Sequence, residues 1–216
     1  TIAVKQGGPD VVGNSRLRAL MAEARSENMP KDNVEKAIKR ALEKNQGDFK
    51  EVVFEGYGPH GIAYLVETAT DNNTRTVANV RSYFTKCGGS LGTSGSVSFM
   101  FDHKCVFRIK YQEGMDIDEL QLALCECDDD PEVFIEEQED KDENITKNVV
   151  IYGAYESYGA IQKYIEDNGY ELVSGGFERI PNVELKDVTP EQRETLDKLT
   201  GLLEDDDDVT NVYSTL

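Results

Sequence analysis

The sequence predicts an α+β protein of three domains: a basic helical domain and two ferredoxin-like α/β sandwich domains, the third inserted into the second. Three observations predict it. Residues 105–177 carry strand and helix patterns in the order β-α-β-β-α-β, the split βαβ arrangement. One β-α-β set before that series, over 50–103, and another after it, over 177–216, supply the halves of a second sheet. Residues 1–47 show only the apolar period of helices. The domain boundaries are therefore 1–47, 48–104 plus 178–216, and 105–177.

In chain order, Thr1-Ile2-Ala3-Val4-Lys5 has the pattern of a helix tail whose start is missing, so the chain reads as a fragment. Gly7-Gly8-Pro9-Asp10 breaks that segment. Asn14 is placed to cap a helix whose Leu17, Leu20, Met21 and Ala24 share one face. Arg18 and Arg25, one heptad apart, flank that stripe, and Arg16 projects on the other side. Asn28-Met29-Pro30-Lys31-Asp32-Asn33 turns into a second helix, because proline fits a first helical turn and Asp32 complements the helix dipole. That helix buries Val34, Ala37, Ile38, Ala41 and Leu42, exposes Lys36, Lys39 and Arg40, and ends at Gly47.

A strand over 51–55 leads through Gly56-Tyr57-Gly58-Pro59-His60-Gly61 into a strand over 62–70, with Ile62, Tyr64, Val66 and Thr68 on one face. Asp71-Asn72-Asn73 caps a helix that buries Val77, Val80, Phe84 and Cys87. Gly88 suits the left-handed residue after its last turn. Val97, Phe99 and Phe101 alternate as a strand. In the third domain a strand over 106–111 precedes a helix capped by Asp116, with Ile117, Leu120 and Leu124 inward. Val133-Phe134-Ile135 is a strand that runs into the acidic tract Glu136 to Glu143. A strand over 149–152, a helix with Ala160, Ile161, Tyr164 and Ile165, and a strand over 170–173 complete the series. Residues 177–185 are extended, with an interruption at Pro181. Thr189-Pro190-Glu191-Gln192 is a capping box, Leu196, Leu199 and Leu203 face a core, Asp205 to Asp208 reads as a solvated helix end, and 209–216 is a last strand.

The hydrophobic fraction of 38% supports globular cores rather than disorder. No apolar run approaches the ~20 residues of a membrane span, and no signal peptide is present. Cys87 and Cys105 are isolated, and Cys125-x-Cys127 lacks the spacing of a zinc knuckle or redox pair. A reducing cytoplasm is the simple reading. The net charge of −19 is unevenly spread. Residues 1–47 hold nine Lys/Arg against six Asp/Glu, 48–104 five against six, 105–177 five against nineteen, and 178–216 four against eleven. Such asymmetry suits a basic contact surface on an acidic body that repels polyanions elsewhere.

The candidate nucleic-acid-binding residues are accordingly Arg16, Arg18, Arg25, Lys31, Lys36, Lys39 and Arg40, with Arg75 and Arg81 extending the surface. Cations there can neutralise phosphates, the source of most sequence-independent affinity. The competing reading is an ordinary solvated helix face, since Glu23, Glu27, Glu35 and Glu43 are interspersed. Asn28, Met29, Pro30, Lys31, Asp32 and Asn33 form either an exposed contact loop or a plain helix–helix connection with Met29 as a staple. No recognition-helix or stacking-aromatic signature supports sequence-specific base readout. The glycine clusters lack the lysine of a Walker A loop and the strand-to-helix placement of a dinucleotide fingerprint. His60 and His103 sit in no nucleophile or metal motif. No catalytic residue, metal or cofactor is expected.

Four runs carry a resemblance: Asn28 to Arg40; Phe54-Glu55-Gly56-Tyr57-Gly58-Pro59-His60-Gly61; Thr70-Asp71-Asn72-Asn73-Thr74-Arg75-Thr76-Val77; and Gly88-Gly89-Ser90-Leu91-Gly92-Thr93-Ser94-Gly95-Ser96-Val97. Together they closely resemble the YebC/PmpR family, which includes the mitochondrial translational activator of cytochrome oxidase subunit one. The resemblance covers essentially the whole chain. His60 stands where many members have glycine, and the third domain is unusually acidic. The resemblance implies three domains and a non-enzymatic regulatory role. The family is described both as DNA-binding transcriptional regulators and as ribosome-associated translation factors that relieve stalling at proline runs. The partners it implies are nucleic acid, DNA or ribosomal RNA, through residues 14–44. The ribosome or basic proteins would approach the acidic domains; no membrane is implied. A pure protein-interaction module is the remaining alternative.

Overall fold

The computed structural model describes residues 1–43, 49–139 and 145–216. It is an α+β structure with two four-stranded sheets. The chain divides into two compact units, Thr1–Lys44 with His103–Glu178, and Asn45–Asp102 with Arg179–Leu216.

The first unit begins with three helices, α1 (Ile2–Gly7), α2 (Ser15–Ser26) and α3 (Lys31–Ala41). Asn14 caps α2 by accepting from the Leu17 N–H at 3.0 Å. Its amide also donates to the carbonyls of Ala3 and Gly8, both at 2.8 Å, so one buried side chain ties α1 to α2. The shared core is small: Val4, Leu17 and Ala41, with Val11, Met21 and Ile38 beside it. Leu20, Ala37 and Leu42, expected inside, are exposed. The helices are too short to cover every apolar position, and α2 turns Ala19 inward instead. It does so because it has a second neighbour in the same unit. A Cβ on Gly175 would stand 3.3 Å from Ala19, and Gln162 donates to the Ser15 carbonyl at 3.1 Å. Gly47, the expected end of α3, lies outside the described residues.

That neighbour is the sheet formed by β4 (Phe101–Lys110), β5 (Glu132–Glu139), β6 (Ile145–Ala154) and β7 (Leu172–Pro181), backed by α5 (Ile117–Leu124) and α6 (Tyr158–Asp167). Its strand order, β5-β6-β4-β7, puts the first and third strands of the series in the middle, the ferredoxin-like arrangement. Phe107, Ile109, Leu124, Ile151, Ile161 and Ile165 fill its core. β4 and β7 outrun their expected ends near 106 and 173. Hydrogen bonds set those ends rather than composition: Lys110 N–H donates to Glu171 O at one end, and Asn182 N–H to Met100 O at the other. Of the acidic tract, residues 136–139 belong to β5, and 140–143 lie outside the described residues.

The second unit contains β1 (Lys50–Tyr57), β2 (Ala63–Thr70), α4 (Asn73–Lys86), β3 (Ser90–Leu91), α7 (Pro190–Glu204) and β8 (Val209–Ser214), with strand order β3-β1-β2-β8. Here the two middle strands are hairpin neighbours, paired from Lys50↔Thr70 to Tyr57↔Ala63. β2 is buried on both faces. On one, Ile62, Tyr64 and Val66 meet Val80 and Phe84 of α4 and Leu196, Leu199 and Leu203 of α7. On the other, Ala63 and Leu65 meet Val97 and Phe101. The two glycine clusters press together: a Cβ on Gly89 would stand 2.5 Å from Tyr57 O, and one on Gly56 2.7 Å from Ser90 O.

The strand expected over Val97, Phe99 and Phe101 is not formed. A 3₁₀ turn occupies Ser98–Met100, and Glu55 explains it. This side chain is 5% exposed, and its carboxylate accepts from the backbone N–H groups of Gly95, Val97 and Ser98 at 2.7, 2.8 and 2.8 Å. Extended backbone points successive N–H groups to opposite sides, so only a curled chain delivers three to one carboxylate. Val97 and Phe101 then face inward and Phe99 faces out. Burial pushes the Glu55 pKa up, but these N–H donors and the Ser98 hydroxyl outweigh it and hold the carboxyl below its usual range.

Candidate nucleic-acid interface

α3 follows Pro30 directly, with Asp32 in its first turn and Lys39 and Arg40 in its last. Each charge complements the helix dipole at its end. Lys36, Lys39 and Arg40 are spaced i, i+3, i+4 and so share one helical face. All three are exposed, and among the described residues none is in an ion pair. Lys31 reaches Glu35 at 3.6 Å with both side chains largely in water, a pairing worth little. Arg25 is exposed and donates to its own helix at Met21 O. Arg16 is half-buried and donates to Gln6 at 2.9 Å.

Two further arginines of the expected set are committed to carboxylates brought from distant segments. Arg18 grips Glu166 with Nε and Nη2, at 2.8 and 3.2 Å, and donates to the carbonyls of Val11 and Val12. In the second unit, Arg75 binds the buried carboxylate of Asp208 through Nε at 3.1 Å and Nη2 at 2.7 Å, and also reaches Asp71. Asp208 further accepts from the Thr76 hydroxyl at 2.8 Å. Its burial raises its pKa, yet Arg75 and the Thr76 and Thr70 hydroxyls hold it below the usual range. Asp206 accepts from Tyr83 and Asn79, and burial together with that carboxylate pushes the Tyr83 phenol up to about 12. Asp206 and Asp208 are therefore structural acceptors for α4, not part of a solvated end. Arg81 remains an exposed residue of α4.

The turn before α3 has a defined geometry. Asn28 adopts φ 55, its N–H donates to Arg25 O, and the Met29 N–H donates to Ala24 O at 2.8 Å. This is the double closure of a Schellman cap, with asparagine in the left-handed place. Met29 is about half exposed rather than packed as a staple, and Lys31, Asp32 and Asn33 are also exposed. Sequence reasoning missed Glu55 and Phe99. The available signal was the absence of charge from residues 87–101 in a chain that is 30% charged. Among the described residues no group of three or more His, Cys, Asp or Glu side chains is placed to hold a metal ion. No helix among them is long and apolar enough to cross a membrane.

Fold and face together define an α+β protein that presents a cationic helical face. The chain belongs to the TACO1/YebC family: its N-terminal-domain model matches residues 1–44, and its second-and-third-domain model matches 49–216. A protein of Parabacteroides distasonis named "Probable transcriptional regulatory protein" is 58% identical over 213 residues, 99% of this chain and 83% of that protein. One of the same name from Bacteroides thetaiotaomicron is 55% identical over 215 residues, 100% of this chain and 84% of that protein. Among solved structures, a conserved hypothetical protein from Aquifex aeolicus superposes with a TM-score of 0.76 at 32% identity, covering 99% of this chain and 84% of that one.

Proposed function

We propose that this protein is a non-enzymatic, cytoplasmic regulator of gene expression that binds DNA through the exposed face of α3. The observation that carries the reading is the trio Lys36, Lys39 and Arg40, exposed on one face and outside any ion pair among the described residues. Lys31 opens the same helix, Arg25 and Arg16 add cations on α2, and the preceding turn holds the start of α3 in place. The names of the relatives favour transcriptional regulation over other roles for such a face. Phosphate neutralisation by lysine and arginine needs no base-reading geometry, so ribosomal RNA is the competitor to be tested beside DNA.

The test is binding of duplex DNA and of ribosomal RNA by the wild type and by the charge reversal Lys36→Glu, Lys39→Glu, Arg40→Glu, at matched salt. The reversal is expected to weaken DNA binding by at least about 100-fold and to flatten the log–log salt slope by about 2.7, three phosphates' worth. Unchanged DNA binding rejects the α3 face. Loss confined to ribosomal RNA moves the target to the ribosome.

A further inference from the structure

Phe99 is 67% exposed at the tip of the 3₁₀ turn. The backbone that carries it is held from two sides. Glu55 collects the N–H groups of Gly95, Val97 and Ser98, while Asn182 donates its side-chain amide to Phe99 O at 3.2 Å and its backbone N–H to Met100 O at 2.9 Å. Asn182 also anchors to Asp102 at 2.8 Å. These bonds hold Asn182 against the turn, and the residues that follow it in the chain include Val183 at 40% and Leu185 at 53% exposure. A buried carboxylate thus fixes a loop whose outward product is a solvent-facing phenyl ring, with two exposed aliphatic side chains leaving the neighbouring segment. An aromatic on a pre-ordered backbone is what a binding anchor requires, because little chain entropy is left to lose on association.

The charges around it select the partner. Residues 87–101 contain no Asp, Glu, Lys or Arg. The exposed carboxylate of Asp102 borders that neutral stretch in the chain, and exposed Glu184 and Asp187 follow Asn182, whose amide holds Asp102. Lys186 is occupied on Gly61 O at 2.9 Å. Residues 45–102 and 179–216 together hold eight Lys/Arg against sixteen Asp/Glu. A nucleobase stacked on Phe99 would bring its phosphates against this rim. A protein with an apolar pocket bordered by lysine and arginine meets both features.

We propose that Phe99, with Val183 and Leu185, is the anchor of a docking surface for a partner protein that offers an apolar pocket rimmed by basic side chains. It is a second surface, separate in residues and in charge from the α3 face. The test is selection of random 12-residue peptides displayed on phage against the full chain, followed by affinity measurement of the purified peptides. Peptides combining apolar or aromatic residues with flanking Lys/Arg are expected, and Phe99→Ser is expected to weaken them by about tenfold or more. Val183→Ser/Leu185→Ser weakens them less, and Leu122→Ser, an exposed leucine of the first unit, leaves them unchanged. Thermal melts confirm that each variant is folded. Selected peptides without basic flanks, or insensitive to Phe99→Ser, overturn the proposal. So does a Phe99→Ser variant that loses binding to a 20-nucleotide poly(U) RNA, or that loses self-association in light scattering, since nucleobase stacking or a second copy of the chain would then be the occupant.

Discussion

Lys36, Lys39 and Arg40 on α3 and the pair Arg18 and Arg75 look alike in the sequence: cations at helical spacing among acidic residues. In the structure they part. Arg18 and Arg75 meet carboxylates from distant segments and become cross-links, while the α3 trio stays in water. The lesson is that availability for a polyanion is set by where acceptors arrive, not by the cation's own neighbours in the chain. It also separates two effects of mutation: cross-linking cations should move stability, and solvated ones should move binding.

The largest stability effect is expected at the acceptor end of a cross-link. Asp208→Ala removes a buried carboxylate that serves Arg75 and Thr76, and should cost about 3 kcal/mol in denaturant unfolding. A loss below about 1 kcal/mol would reduce Asp208 to a spectator. Acid should expose the same dependence. Asp208 and Glu55 both have folded-state pKa values below the usual range, so their stabilisation is complete above the unfolded values of about 3.9 and 4.3. It drains away as pH falls through the lower folded values. Wild-type stability should therefore fall as pH drops below about 4, and Asp208→Asn should flatten that fall; parallel curves would contradict the assignment.

A smaller effect is expected at Arg18. Its bidentate grip on partly exposed Glu166 is worth about 1 kcal/mol, measured as the coupling in an Arg18→Ala/Glu166→Ala double-mutant cycle. The smallest stability change belongs to Lys36→Ala/Lys39→Ala/Arg40→Ala, expected within about 0.5 kcal/mol of wild type while nucleic-acid binding falls. Destabilisation comparable to Arg18→Ala would erase the distinction between the two sets.

Much of the fold was legible in advance. The capping box at Thr189 and Gln192 forms as its spacing indicates. Gly88 takes φ +80 after α4, and Asn14, Asn72 and Asp116 cap their helices. The candidate site was legible only in part. The exposed trio on α3 follows from helical period, but Arg18 and Arg75 gave no local sign of their engagement. Val97, Phe99 and Phe101 have the alternation of a strand, which puts all three on one face. A glutamate forty-odd residues away overrode it.

The sequence by itself determined most of the order of strands and helices, the starts of several helices and the basic character of residues 1–47. Those features depend on interactions within one helical turn or one strand repeat, where neighbours in the chain are neighbours in space. Only the tertiary structure decided which cations are free and which aromatic faces solvent. Those outcomes rest on partners that folding brings from far along the chain: Glu166 to Arg18 across 148 positions and Asp208 to Arg75 across 133. A buried carboxylate takes whatever donors the fold delivers to it, and no local pattern records the delivery.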